Sequence, residues 1–191
     1  IGDLNIPSHP ETVYLSVVDK DLNTVSMINP VCYAFGSGIT TDKTGIILHN
    51  RGTNFRVEEG HPNCIEGLKR PLHTIIPGMV LDHNGLSSLS YGVMGGQYQP
   101  VGQVHVLNNI LDFEMSPQQA ITFPRAFHFN NVYKLEKEVS KEIKDGLSTI
   151  GHNAVHIDET HGGGQAIQID RLKGNLIGGS DPRKDGYAKG Y

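Results

Sequence analysis

The sequence lacks tryptophan, has only two cysteines and contains no long apolar run. A membrane-spanning helix needs about 18 consecutive apolar residues, so no span is expected. Two cysteines are too few for the disulfide framework of a small secreted domain. We expect Cys32 and Cys64 to be free buried thiols, with a single disulfide as the open alternative.

An excess of basic charge is also missing. The chain carries 16 basic and 20 acidic residues, a net charge of −4 and a pI near 6.2. This balance gives no electrostatic attraction to nucleic acid or to an anionic membrane surface. The ten histidines are scattered, and the nearest group, His152, His156 and His161, has no cysteine partner or zinc-protease spacing. We therefore expect neither a metal site nor a cofactor.

Glycine is abundant, with 23 residues, while apolar residues make up only 37% of the chain. This composition favours a domain rich in sheets and turns. Two interpretations stay open. The domain either relies on a partner to bury part of its surface, or is a glycine-rich enzyme domain that is complete by itself.

Residue periodicity predicts an alternation of strands and helices. Residues 1–11 have two prolines and no periodicity, so they are interpreted as an extended leader, and they lack the features of a signal peptide. Helical spacing predicts helices over 101–112 and 138–150, and Ser116-Pro117 is typical of a helix start. The expected strands are 13–18, 24–28, 46–48, 75–81, 86–93, 132–135, 154–157, 166–169 and 176–177. This order predicts a layered α+β domain with an antiparallel sheet core.

Several short motifs follow one another along the chain. They are TVYLSVVD (12–19), FGSGI (35–39), KRPL (69–72), GG (95–96), FPR (123–125) and SDPR (180–183), running on to the final Gly190-Tyr191. Together they resemble the small, nucleophile-bearing subunit of the γ-glutamyltranspeptidase family. Further segments are similar to its cephalosporin-acylase-like branch, namely KRPLHTIIP (69–77), GVMGG (92–96) and GGGQAI (162–167).

The resemblance implies a four-layer αββα sandwich of the N-terminal nucleophile (Ntn) hydrolase type, of which this chain is the small-subunit half. It implies a precursor that cuts itself between Glu11 and Thr12, with 1–11 as leader and 12–191 as catalytic region. The large subunit of the same precursor would be the partner, and further dimerisation is left open. The sequence leaves the compartment unassigned, with a cytoplasmic location slightly favoured.

The resemblance also assigns catalytic roles. Thr12 would be the nucleophile, because a free N-terminal threonine carries its own base in an α-amine that titrates near neutral pH. The alternative is that Thr12 merely begins a strand, as β-branched residues often do. Gly95 and Gly96 would form the oxyanion hole, because glycines allow the backbone N–H groups to approach a substrate closely.

Several positions depart from the transpeptidase pattern. Pro30 replaces a second hydroxyl residue near the amine, and Cys32 replaces an asparagine. Asn54 replaces the acidic residue that holds the α-ammonium of a γ-glutamyl substrate, and an amide removes that charge partner. His73-Thr74 replaces two serines that grip the substrate carboxylate. Glutathione is consequently a doubtful substrate.

Asn54, His73 and Thr74 therefore stay candidate substrate-binding residues, with Arg51 as a further candidate for a carboxylate elsewhere in the acyl group. The sequence predicts an amidohydrolase or acyltransferase acting on a γ-glutamyl or similar acyl amide. The alternative is a catalytically weakened or unprocessed relative that acts as a binding or structural protein. Pro30, Cys32 and the uncleaved leader favour this alternative, whereas Thr12 and Gly95-Gly96 oppose it.

Overall fold

A computed structural model describes residues 12–191, and the predicted leader, 1–11, lies outside these residues. Nine strands and three α-helices form this part of the chain. The strands are β1 Tyr14–Val18, β2 Thr24–Ile28, β3 Gly78–Leu81, β4 Ser87–Met94, β5 Ala126–Phe129, β6 Val132–Glu136, β7 Ala154–Ile157, β8 Gly163–Asp170 and β9 Asn175–Ser180. The helices are α1 Gln99–Leu111, α2 Pro117–Thr122 and α3 Lys141–Thr149.

Two antiparallel sheets pack face to face. The larger has the order β3-β4-β8-β9, and the β1-β2 hairpin lies across one of its faces. The side chains of β4 alternate between the two faces of this sheet, as successive side chains of a strand do. Ser90 and Gly92 face the hairpin, where the hydroxyl of Tyr14 lies 3.0 Å from that of Ser90. Leu89 and Val93 enter the core on the other face.

Helices α1 and α2 cover that other face of the larger sheet. Val106 and Ile110 of α1 and Ile121 of α2 pack into the same buried cluster as Leu89 and Val93. The predicted start of α2 is confirmed, because Ser116 and Gln119 form a capping box in which each side chain bonds the other's backbone N–H. The described chain thus contributes one helical layer and two sheet layers.

The remaining sheet, β5-β6-β7, contains the parallel pair β6–β7, joined by α3. A parallel pair needs a crossover connection, and α3 supplies it. Sequence periodicity missed β5, which is short and contains His128 among its aromatic residues. The helix predicted over 138–150 begins later, because the Ser140 hydroxyl accepts the Ile143 N–H as its N-cap.

The strand predicted over 46–48 is wrong. This stretch makes only an isolated bridge between Thr40 and Ile47, within a long connection between β2 and β3. The same connection carries a short 3-10 helix, Arg51–Asn54. Within residues 12–191, no helix is both long and apolar enough to cross a membrane.

Candidate active site

Thr12 lies just before β1 and is anchored by the residues that follow it. The Val13 carbonyl accepts the Asn29 N–H at 3.2 Å, and Tyr14 is buried against the larger sheet. The Tyr14 hydroxyl lies 2.9 Å from that of Ser26 and 3.0 Å from that of Ser90. These bonds tie the start of β1 to both sheets, so the position of Thr12 is set by buried contacts on its C-terminal side.

The side chain of Thr12 meets the first residue of α1. Nε2 of Gln99 donates to Oγ1 of Thr12 at 3.4 Å and to Oγ1 of Thr74 at 3.2 Å. Gln99 is 1% exposed, so these contacts lie in the interior. We call Thr12, Thr74 and Gln99 the threonine cluster. It unites the predicted nucleophile with one predicted substrate-binding residue.

A glycine turn connects β4 to the threonine cluster. Gly95 has φ 132° and Gly96 has φ 56°, values that favour glycine, and a 3-10 turn then leads into α1 at Gln99. A side chain at Gly95 would come within 2.8 Å of the Gly162 α carbon. The predicted Gly95-Gly96 pair therefore lies in a tight strand–turn–helix connection whose helix begins at Gln99.

Four charged side chains, three of them buried and Arg183 half-buried, support the segment behind this turn. Arg125 bonds the Asp181 carboxylate and the His161 carbonyl, each at 2.7 Å, and Asp181 accepts the Gly164 N–H at 2.7 Å. Arg183 pairs with Glu136 through two hydrogen bonds of 2.6 and 2.9 Å. Two hydrogen bonds between one guanidinium and one carboxylate fix the relative orientation of the two side chains and also pair their charges. The cluster thereby holds residues 161–164, which contact the Gly95 turn through Gly162.

The pKa values in this region reflect burial and the paired charges. Burial lowers the pKa of His161, whose ring stacks on Tyr98 with centroids 5.4 Å apart. Burial also raises the pKa of Tyr98 to about 12, so this phenol stays protonated at neutral pH. Burial alone would raise the pKa of Glu136, but the bonds from Arg183 and the His161 N–H lower it overall.

The other predicted substrate-binding residues belong to one loop assembly. Nδ2 of Asn54 donates to the Leu72 carbonyl at 3.0 Å, and the Leu72 N–H donates to Asn63 Oδ1 at 2.9 Å. Asn54 is thereby tied to the segment that carries Thr74. His73 is exposed, and its Nδ1 accepts the Ile75 N–H at 3.2 Å. Arg51 is half-buried in the 3-10 helix that ends at Asn54.

Sequence reasoning did not single out Gln99 or the charged cluster. Arg125 and Asp181 lie in the motifs FPR (123–125) and SDPR (180–183), for which the sequence predicted no role, and Glu136 lies in none of the motifs. The available signal for Gln99 was its place at the first position of a helix that follows a Gly-Gly turn. An open groove of about 370 Å³, between α3 and the β5–β6 strands, shares no lining residue with the threonine cluster.

No three histidine, cysteine or acidic side chains of residues 12–191 are grouped so that they could hold a metal ion. Cys32 and Cys64 are both half-buried free thiols in this part of the chain. The threonine cluster consists of two hydroxyl groups and one carboxamide, which can act by nucleophilic attack and hydrogen bonding.

Two packed antiparallel sheets with an outer helical layer are the architecture of an Ntn hydrolase, in the α+β class. Solved structures agree. The chain superposes on a cephalosporin acylase from Bacillus halodurans with a TM-score of 0.85 at 38% identity, covering 93% of this chain and 34% of that one. It superposes on a mutant γ-glutamyltranspeptidase of Helicobacter pylori with a TM-score of 0.79 at 30% identity, covering 90% of this chain and 99% of that one.

Residues 3–191 match the family description "Gamma-glutamyltranspeptidase", and the chain belongs to this family of Ntn hydrolases. A glutathione hydrolase-like proenzyme of Bacillus subtilis is 38% identical over the whole of this chain. The chain spans 38% of the length of that relative. Similarity to the acylase supports the cephalosporin-acylase-like resemblance of the motifs.

Proposed function

We propose that this chain is the catalytic small subunit of an Ntn amidohydrolase or acyltransferase with Thr12 as its nucleophile. The observation that carries the proposal is the contact of Oγ1 of Thr12 with buried Gln99, the residue that follows the Gly95-Gly96 turn. This contact brings the candidate nucleophile to the helix start beside the candidate oxyanion hole. Membership of the γ-glutamyltranspeptidase family supports the same roles.

The reaction begins with cleavage of the Glu11–Thr12 bond, because an amide nitrogen is not a base and a free amine is. Oγ1 of Thr12 then attacks the acyl carbon, and its proton passes to the α-amine. The Gly95 and Gly96 N–H groups stabilise the oxyanion. When the C–N bond breaks, the ammonium returns the proton to the leaving nitrogen. Water or an acceptor amine next attacks the ester and restores Thr12.

The substrate in this proposal is an acyl amide whose acyl group does not depend on an α-ammonium. Asn54 stands where the family pattern has a carboxylate, and its Nδ2 is already bonded to the Leu72 carbonyl. A neutral carboxamide offers no charge partner to an ammonium group. Arg51 and His73 are the candidates for binding a carboxylate of the acyl group.

The partner in this proposal is the large subunit of the same precursor. A row of apolar side chains is 40–61% exposed on the β1-β2 hairpin, made of Val13, Leu15, Val17, Val25 and Met27. This face is opposite to the one that packs on the larger sheet. A contiguous exposed apolar surface of this kind marks an interaction site. A helical layer from the large subunit would cover it and complete the four layers.

The proposal is tested by the intact mass and N-terminal sequence of the complete protein after purification and prolonged incubation. We expect a fragment that begins at Thr12 and that gains the mass of an electrophilic glutamine analogue on this residue. A Thr12→Ala variant should stay uncleaved and unlabelled, whereas exposed Thr44→Ala, the matched control, should behave as wild type. If Glu11 stays joined to Thr12 in the wild type, the chain is instead the weakened, binding relative.

A further inference from the structure

Of the two polar atoms of the Gln99 carboxamide, only one is hydrogen-bonded in the threonine cluster. Its Nε2 donates to Thr12 and Thr74, but its Oε1 is buried and has no hydrogen-bond partner among residues 12–191. Buried acceptors are nearly always paired, because leaving one unfilled forfeits the hydrogen bond it would make to water. An acceptor left open beside a candidate nucleophile indicates a donor that arrives with the ligand.

We propose that Oε1 of Gln99 accepts the N–H of the scissile amide, so that Gln99 selects amides over esters of the same acid. This inference rests on the proposed function of Thr12. The Nε2 of the same carboxamide positions the Thr12 hydroxyl, because an accepted N–H occupies one lone pair of Oγ1. One side chain thereby holds both the nucleophile and the leaving group.

The geometry permits this double contact. A planar carboxamide keeps its oxygen and nitrogen about 2.2 Å apart, given C–O and C–N lengths of about 1.23 and 1.33 Å. With Nε2 at 3.4 Å from Oγ1 of Thr12, Oε1 lies no farther than about 5.6 Å from the attacking oxygen. The leaving nitrogen is bonded to the carbon that Oγ1 attacks, so it enters the same region. Its N–H is the donor nearest to the new bond.

The chemistry also separates amides from esters. As Oγ1 bonds to the acyl carbon, the amide nitrogen loses its resonance and becomes an amine that still carries its hydrogen. Oε1 of Gln99 holds this N–H, which leaves the new lone pair free to take the proton from the Thr12 ammonium. An ester presents an oxygen without a hydrogen, so the same Oε1 faces another acceptor and gains nothing.

A second glutamine provides the matched control. Gln103 lies one helical turn beyond Gln99, is also buried, and also has an unpartnered Oε1 within the described residues. Its Nε2 donates to the Ile76 carbonyl and not to Thr12. Gln103→Met therefore removes an equivalent buried carboxamide from the same helix face without removing a group from the threonine cluster.

The experiment compares a p-nitroanilide and a p-nitrophenyl ester of one acid, glutaryl or γ-glutamyl, whichever acylates the wild-type protein at Thr12 by mass spectrometry. The quantity measured is kcat/KM, which reports the steps up to formation of the acyl enzyme. Both probes carry the same acid and therefore form the same acyl enzyme. We expect Gln99→Met to lower kcat/KM for the anilide about tenfold more than for the ester, as for one lost hydrogen bond. Gln99→Glu keeps an acceptor and should retain the amide preference, as should Gln103→Met.

An equal loss for both probes in Gln99→Met would overturn the selectivity and leave Gln99 with a structural role alone. The same conclusion follows if Gln103→Met changes the amide-to-ester ratio as much as Gln99→Met does. Failure of the wild type to form an acyl-Thr12 species with either probe is a different result. It would overturn the proposed function, and this inference with it.

Discussion

The ring of Tyr14 lies directly over the α carbon of Gly92, so a β carbon at residue 92 would overlap the Cδ2 and Cε2 atoms of the tyrosine. Tyr14 is buried at 5% exposure, and its hydroxyl contacts Ser26 and Ser90. The close approach of β1 to β4 therefore depends on a glycine in the middle of a strand. It also fixes the chain two residues beyond Thr12.

Replacing Gly92 by alanine is expected to displace Tyr14. Overpacking of a filled interior costs about 1–3 kcal/mol, so the free energy of unfolding should fall by this amount in denaturant titrations. Labelling of Thr12 by an electrophilic glutamine analogue should fall as well, because β1 moves. The matched control is Gly146→Ala in α3, where the added carbon meets nothing within 4 Å. It should stabilise the protein by up to about 1 kcal/mol, and a similar loss in both variants would contradict the argument.

The stability of the protein should decrease below about pH 6.5 because of His161. Burial lowers its folded-state pKa below the ordinary value of 6.5, so the unfolded chain takes up protons before the folded one does. The contribution of neutral His161 to the free energy of unfolding is thus complete above pH 6.5 and is lost as the pH falls toward the folded-state pKa. Burial shifts the pKa of His105 in the same direction. Glu136 titrates lower, because its pKa lies below 4.5.

Urea unfolding at about pH 7.5 and about pH 5.5 measures this effect, since both values lie above the range of Glu136. His161→Gln removes the titrating ring and retains an N–H for the Lys134 carbonyl, which His161 contacts at 3.0 Å. We expect a smaller decrease between the two pH values in this variant than in the wild type. An unchanged decrease would assign the pH dependence to other groups.

The sheets could be predicted from the sequence because their pattern is local. Alternation of side chains over 13–18 and 86–93 gives both strands, and the glycine turn after β4 gives the expected strand-to-helix connection. The cluster of Arg125, Glu136, Asp181 and Arg183 could not be predicted, because its members come from three separate parts of the chain. Each alone has the sequence features of a surface charge.

The threonine cluster illustrates the same limit. Thr12 and Thr74 could be proposed from the family resemblance, but Gln99 contacts them across sequence separations of 87 and 25 residues. No periodic signal reports such a contact. The strand predicted over 46–48 failed for a related reason, since an apolar run becomes a strand only if a neighbouring strand pairs with it. Ile47 finds only the single bridge to Thr40.

Asn54 provides the sharpest test of which acyl group the site accepts. Its carboxamide donates to the Leu72 carbonyl at 3.0 Å and offers no negative charge to a γ-glutamyl ammonium. We therefore expect the wild type to prefer glutaryl p-nitroanilide to γ-glutamyl p-nitroanilide, which differs only by the ammonium group. Asn54→Asp should shift the ratio of kcat/KM values toward the γ-glutamyl probe by about tenfold or more, the size of a charge-assisted bond.

The control for this change is Asn54→Ala, which breaks the bond to Leu72 without adding charge. It should lower kcat/KM for both probes by the same factor, because the loop that carries Thr74 is loosened for either acyl group. If Asn54→Asp changed kcat/KM for both probes by the same factor, it would behave like Asn54→Ala. Asn54 would then hold the loop in place without contacting the substrate, and the acyl preference would have to be set by Arg51, His73 or the large subunit.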